Sequence, residues 1–225
     1  MKLRHELKHY INRSDYIEIR NRLQHLAKLD RNAKKNGEYK IRSIYFDDYQ
    51  DKVLMEKIIG LNNRDKFRIR FYNDDPSFIR LEKKSKISGL CRKISSVITK
   101  AECECILRGD LHFLRDSPIP LLKELYIRMN SESWKPKTVV DYVREAYIYE
   151  AGNVRITFDK SVRTGLCSTD IFNPELPTVE TLDTQLTILE VKYDAFLPEV
   201  IADFIQCGER SRTSVSKYAL CRMYG

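Results

Sequence analysis

No apolar run in this chain approaches the ~18–20 residues that a membrane-spanning helix needs. The opening MKLRHELKHY lacks the apolar centre of a secretory signal, so a soluble, cytoplasmic protein with no direct membrane insertion is expected. The six cysteines, at 91, 103, 105, 167, 207 and 221, include no C-x-x-C pair; they read as reduced thiols rather than a disulfide framework or a zinc site. Also missing are H-E-x-x-H, G-x-S-x-G, G-x-G-x-x-G and a Walker sequence. Any phosphate site must therefore be built from side chains and not from a glycine-rich loop. There is no internal repeat, low-complexity tract or linker, so residues 1–225 are expected to form a single domain. A basic helix or exposed aromatic platform is absent too, which argues against a nucleic-acid partner.

What is present is charge. The net charge is +8 and 32% of residues are charged, so an anionic partner is expected. Acidic residues are plentiful as well, which further weakens a nucleic-acid reading. A hydrophobic content of 42%, with 13 Tyr and 9 Phe, is enough to build a core.

The charge has a pattern. In KFRIRFY at 66–72, period two puts Lys66, Arg68, Arg70 and Tyr72 on one side and Phe67, Ile69 and Phe71 on the other. IRLEKKSK at 79–86 repeats this with Glu82, Lys84 and Lys86 against Leu81, and the five residues 73–77 between them imply an antiparallel hairpin. Like charges facing one another across a sheet are destabilising, so this face is expected to meet something anionic.

Along the chain, 1–12 reads as a strand with Arg4, Glu6 and Lys8 on one face. A helix follows from Asp15, with Glu18 completing a capping box and Tyr16, Ile19, Leu23 and Leu26 as its stripe. Strands are expected at 40–47, 66–72, 79–86, 91–98, 138–149, 154–159 and 186–194. Helices are expected at 51–59, at 100–108 behind a Thr99–Glu102 capping box, at 117–129, at 198–207 and at 214–222; a long loop occupies 164–184. Asp47, Asp48 and Asp51 read as turn and cap residues, and His5 and His9 lie on the parity opposite Glu6 and Lys8.

Eight strands with charges on one parity suggest an α+β fold: an eight-stranded antiparallel β-barrel with a charged interior and helices packed outside. The helices cover the apolar side, leaving the charged side to line a lumen. Two cations ~4 Å apart repel by about 4 kcal/mol at an effective dielectric near 20. Such a lining is tolerable only if carboxylates interleave or a polyanion fills it. The inward set is Arg4, Glu6, Lys8, Arg68, Arg70, Glu82, Lys84, Lys86, Lys93, Arg144, Arg155, Asp159, Glu190 and Lys192, with Ser216, Lys217 and Tyr218 from RTSVSKY. One R-x-R on a strand is ordinarily a solvated face; recurrence on at least five strands is what argues for a lumen. Many bases with few carboxylates suit a ligand of several phosphates with one divalent cation.

These segments together resemble the VTC domain, the polyphosphate polymerase branch of the triphosphate tunnel metalloenzymes (CYTH-like superfamily). The matching pieces are RHELKHY at 4–10, IRSIYFDD at 41–48, KFRIRFY at 66–72 and LEKKSK at 81–86. VREAY at 143–147, VRITFD at 154–159, ILEVKYD at 188–194 and VSKY at 215–218 follow in family order. The resemblance implies transfer of the terminal phosphoryl group of ATP to a growing polyphosphate. Arg68, Arg70, Arg144, Arg155 and Lys217 would be catalytic, with Lys8, Lys84 and Lys93 holding phosphates. Lys192 and Ser216 join the phosphate-binding set from the inward pattern. Glu190, assisted by Glu6, would bind Mn²⁺ or Mg²⁺. The related triphosphatase and cyclase branch resembles E-x-E-x-K in the first strand, where this chain reads Arg4, Glu6, Lys8. Exchanging the first carboxylate for a base weakens a two-metal hydrolytic site. A tunnel triphosphatase and a non-catalytic polyphosphate- or nucleotide-binding module remain the alternatives.

Overall fold

A computed structural model describes residues 3–34, 36–206 and 213–224. Its centre is one antiparallel sheet. The long strands are β1 (His5–Ile11), β3 (Glu38–Asp47), β4 (Arg64–Tyr72), β5 (Asp75–Ile87), β6 (Leu90–Ile98), β7 (Lys135–Tyr149), β8 (Val154–Thr164) and β10 (Thr187–Tyr193). Two short strands, β2 (Lys28–Leu29) and β9 (Val179–Glu180), pair with β7 and β8. The long strands run in the order β1-β10-β8-β7-β3-β4-β5-β6. The sheet curls until its two ends meet, where Arg4 and Cys91 exchange backbone hydrogen bonds of 3.1 and 3.0 Å. The expected α+β barrel with outer helices is borne out.

Among the described residues seven helices clothe the outside: α1 (Arg13–Leu26), α2 (Lys52–Ile58), α3 (Lys100–Arg108), α4 (His112–Asp116), α5 (Pro120–Ser131), α6 (Glu199–Ile205) and α7 (Lys217–Arg222). Two apolar clusters lie between helices and sheet. The larger joins Ile44, Phe46, Phe67, Ile69, Leu81 and Val139 to Cys103, Ile106, Leu122 and Leu125 of α3 and α5. The smaller packs Ile19 and Leu23 of α1 and Ile201 of α6 on Ile156, Phe158, Leu189 and Val191. None of the helices is long and apolar enough to cross a membrane, among the described residues.

Several local expectations need correction. Helix α1 is capped by Asn12, whose side chain accepts from the Asp15 N–H at 2.9 Å while Asp15 reaches back to the Asn12 N–H at 3.0 Å. Asp15 is thus the third helical residue of the box, not its cap. The β4–β5 turn is only Asn73 and Asp74, not five residues; both have positive φ, 55° and 58°, which suits a tight hairpin. The helix expected at 117–129 is α5, which starts three residues later, and the short α4 before it was not expected. Ser117 is extended (ψ 138°) ahead of Pro118, as the residue before proline usually is, and the chain restarts as α5 on Pro120. Helix α6 is shorter than expected and residue 207 lies outside the described residues. Helix α7 starts only after Ser216.

A buried ion pair outside the barrel ties the long loop to the sheet. Arg42 of β3 grips Asp141 of β7 through Nε at 2.9 Å and Nη2 at 2.8 Å, and its Nη1 donates to the Asn173 carbonyl. Both side chains are almost wholly buried. Arg42→Met therefore leaves the buried Asp141 carboxylate only Lys40 at 3.7 Å and is expected to cost about 3 kcal/mol in urea denaturation. Adding Asp141→Leu should recover part of that loss. A single variant as stable as the parent would contradict this role for the pair.

Candidate functional site

The inner face follows from the outer one. Phe67, Ile69 and Phe71 are buried beneath the helices and the long loop, Phe67 edge-on to Trp134 and Phe71 stacked on Phe172. Arg68 and Arg70 must then point into the barrel. The same parity turns Glu82 and Lys84 of β5, Tyr142 and Arg144 of β7, Arg155 and Asp159 of β8, and Glu190 and Lys192 of β10 inward.

Inside, each cluster of bases is gathered on a buried carboxylate. Glu82, 1% exposed, accepts from Arg68 Nε at 2.8 Å and Lys93 Nζ at 3.0 Å, with Arg70 Nε at 3.7 Å. Asp159, wholly buried, takes Arg144 through Nε at 2.5 Å and Nη2 at 2.7 Å, and Lys217 at 2.5 Å. Glu190 and Glu6 share Lys8 at 3.4 and 3.8 Å and Lys192 at 2.5 and 3.6 Å. Lys84 is 2.7 Å from Glu6. Arg155 turns instead to Asp30 at 2.5 Å and to the Tyr39 hydroxyl at 3.0 Å.

Eleven of the twelve residues singled out from the sequence line one cavity of about 430 Å³: Arg68, Arg70, Arg144, Arg155, Lys217, Lys8, Lys84, Lys93, Lys192, Ser216 and Glu190. The twelfth, Glu6, lines an adjoining hollow of about 380 Å³ together with Lys8, Lys84 and Ser216. Lys93 sits at the rim, its side chain 46% exposed. Ser216 also caps α7, its Oγ accepting from the Ala219 N–H at 3.4 Å.

Electrostatics keep the carboxylates charged. Burial would raise Glu190, but Lys192, Lys8, Lys84 and Lys217 outweigh it and hold the carboxyl well below its usual range. Burial opposes ionisation of Glu82 too, and Arg68, Arg70 and Lys93 overcome it. Asp159 falls to about 2 because Arg144 and Lys217 exceed the burial penalty. Glu6 is likewise lowered, by Lys8, Lys84 and Lys192 against burial and Glu190.

The sequence reading missed Tyr142 as a site residue. Its hydroxyl accepts from Arg70 Nη2 at 2.8 Å, while Arg144 and Lys217 lie 5.3 and 4.7 Å from its ring centroid. Burial would raise this phenol, but Arg144 and Arg70 bring it down to about 8. Its place two residues before Arg144, on the inward parity, was the available signal. Asp30 offered none, since it comes from the short segment after β2. Tyr39 and Tyr45, hydrogen-bonded to Arg155 and Arg68, were foreseeable only by extending the parity rule to β3.

A divalent cation fits this chemistry. Glu6 and Glu190 are ionised oxygen donors held beside the same two ammonium groups, and Mg²⁺ or Mn²⁺ commonly takes only one or two protein carboxylates when phosphates complete its shell. No group of three or more His, Cys, Asp or Glu clusters among the described residues, so those two carboxylates would be the main protein ligands.

The family model described as the VTC domain matches residues 3–224. No curated protein matches the chain. Among solved structures, the chain is similar to the PH1012 protein of Pyrococcus horikoshii OT3, at 16% identity and a TM-score of 0.54, over 97% of this chain and 99% of that one. It also resembles the PH1819 protein of the same organism, at 16% identity and a TM-score of 0.47, over 96% and 97%. The first of these supports the fold.

The depressed phenol can be read directly. An ultraviolet titration should show one phenolate appearing near pH 8, and Tyr142→Phe should remove that step. A step that survives the substitution would assign the shift to another group.

Proposed function

Because the chain belongs to the VTC domain family, we propose that it transfers the terminal phosphoryl group of ATP to a growing polyphosphate chain inside its basic tunnel. The observation that carries this reading is the convergence of Arg68, Arg70, Arg144, Arg155 and Lys217, from three strands and a helix, on one cavity of about 430 Å³.

The chemistry asks little of the protein beyond placement and charge. The acceptor is a terminal phosphate oxygen, so no protein nucleophile is required. A P–O bond forms from that oxygen to the γ-phosphorus as the β,γ-bridging P–O bond breaks, and ADP leaves. Arg68, Arg70, Arg144 and Arg155 hold donor and acceptor oxygens in line, where guanidinium forks can engage two oxygens at once. Lys8, Lys84, Lys93, Lys192 and Lys217 offset the charge of the phosphates as point cations. The Ser216 hydroxyl can donate to a phosphate oxygen while it caps α7. A bound Mn²⁺ or Mg²⁺ would supply neutralisation of charge on the leaving oxygen, held by Glu190 with help from Glu6.

The resting ion pairs also support a charged ligand. Arg68 and Arg144 are already cationic and oriented by Glu82 and Asp159, so they need little rearrangement when phosphates arrive. The bases are held in place before substrate binds.

Incubation of the pure protein with ATP and Mn²⁺ should yield long-chain phosphate on a gel. Arg70→Ala is expected to lower the rate by roughly 100–1,000-fold. Glu190→Gln should raise the concentration of Mn²⁺ needed for half-maximal rate. Orthophosphate as sole product would favour a tunnel triphosphatase. Binding of tripolyphosphate with no turnover under any divalent metal would favour a binding module.

A further inference from the structure

The two cavities adjoin. Both are lined by Lys8, Lys66, Lys84, Cys91 and Ser216, which form the junction between the larger hollow and the smaller one. Beyond that junction the smaller hollow is bounded by Lys57, Arg64 and Lys86, so a basic lining continues toward its mouth.

Lys66 stands apart within this junction. Lys84 is neutralised by Glu6 at 2.7 Å and Lys8 by Glu190 at 3.4 Å. Among the described residues Lys66 has no ion-pair or hydrogen-bond partner; its Nζ lies 5.8 Å from the centre of the Tyr45 ring. Lys84 faces it directly across the β4–β5 ladder, and Arg68 follows it on the same face. Lys8 and Glu6 approach from β1, the first adding to the repulsion and the second relieving it. Burial, then Lys84, Lys8 and Arg68, push the Lys66 ammonium well below its ordinary value. An amine in that position stands among cations without an anion of its own.

We propose that Lys66 forms a phosphate subsite at the junction, which takes an internal phosphate of a chain passing from one hollow into the other. The subsite rests on the reading of the tunnel as a phosphate-chain site, and deepens it. It makes the smaller hollow part of the binding path, so a ligand long enough to cross the junction gains a contact that a short one in the larger hollow does not. An arriving phosphate supplies the negative charge that Lys66 lacks, so chain binding raises the amine's affinity for a proton. Glu6 cannot serve that purpose, because Lys84 already claims it.

Calorimetric titration with long-chain polyphosphate and with pyrophosphate, at steps from about pH 7 to about pH 10 and in paired buffers of different ionisation heat, tests this. Lys66→Met should weaken long-chain binding by about tenfold or more and leave pyrophosphate affinity nearly unchanged. The parent should take up more protons per chain bound than Lys66→Met does. Comparing the two cancels any contribution from Tyr142, which both retain. Lys66→Arg, permanently charged, should keep the affinity and lose the extra uptake. Thermal melts establish that the variants are folded, and a Lys66→Met that fails to fold leaves the Lys66→Arg comparison to decide. Long-chain affinity unchanged in Lys66→Met, or proton uptake unchanged in either variant, would overturn the subsite while leaving the tunnel reading intact. A parent protein that binds neither ligand would overturn both.

Discussion

The structure depends on a single electrostatic constraint: cations can converge in an enclosed hollow only where buried carboxylates share them. Asp159 holds Arg144 and Lys217; Glu82 holds Arg68 and Lys93, with Arg70 nearby. Glu190 and Glu6 divide Lys8, Lys84 and Lys192 between them. Each carboxylate lies on a strand adjacent to at least one of its bases, so the sheet register sets the charge balance. Lys8 is opposite Glu190, Arg68 opposite Glu82, and Arg144 opposite Asp159. A one-residue slip in any of these ladders would turn the whole row outward and leave its partners unpaired. Charge pairing and register therefore enforce each other.

The same constraint explains why the helices lie outside. With the interior given to charge, the apolar parity of every strand faces outward and needs cover, which α1, α3, α5 and α6 provide. Where polar groups do fall beneath the helices they are paired as carefully as those within. Lys83 of β5 reaches Asp65 at 2.9 Å and also Glu124 of α5. Glu145, 1% exposed, receives Arg20 and Tyr16 from α1 at 2.8 and 2.6 Å. These contacts fix helix positions against a sheet whose other face must stay open to a ligand.

Period-two parity made the strands and most of the inward set legible. Two alternating runs such as KFRIRFY and IRLEKKSK admit few other readings, and recurrence on several strands pointed to a lumen. What stayed hidden depended on contacts between segments far apart in the chain. Asp30 comes to Arg155 from a segment with no alternation at all. Tyr142 was passed over because a tyrosine on a strand is ordinarily core, and only its surrounding guanidinium groups make it distinctive. Local capping went wrong where two candidates lay three residues apart, since both Asn12 and Asp15 belong to the same box. The β4–β5 hairpin was drawn too long because Pro76 reads as a turn residue, whereas here it lies inside β5.

The first strand shows how the balance bears on chemistry. Arg4, two residues before Glu6, lines the larger cavity, yet its charge is engaged beside the ends of β8 and β10, with Nε 2.9 Å from Asp194 and Nη2 donating to the Asn153 carbonyl, while its backbone pairs with Cys91 at the seam. It helps to close the sheet where β1 meets β6, and it leaves Glu6 as the one inward carboxylate of its strand. A second acidic residue at that position would have brought another metal ligand into the hollow, and with it the possibility of two ions. A base there leaves the acidic donors at Glu6 and Glu190, one from each of two neighbouring strands, which suits a single ion beside a long run of cations. On the proposed reading, that proportion of many bases to two acidic donors suits a ligand whose charge is spread along a chain, and Lys66, without an ion-pair partner among the described residues, would lie on the path of such a chain.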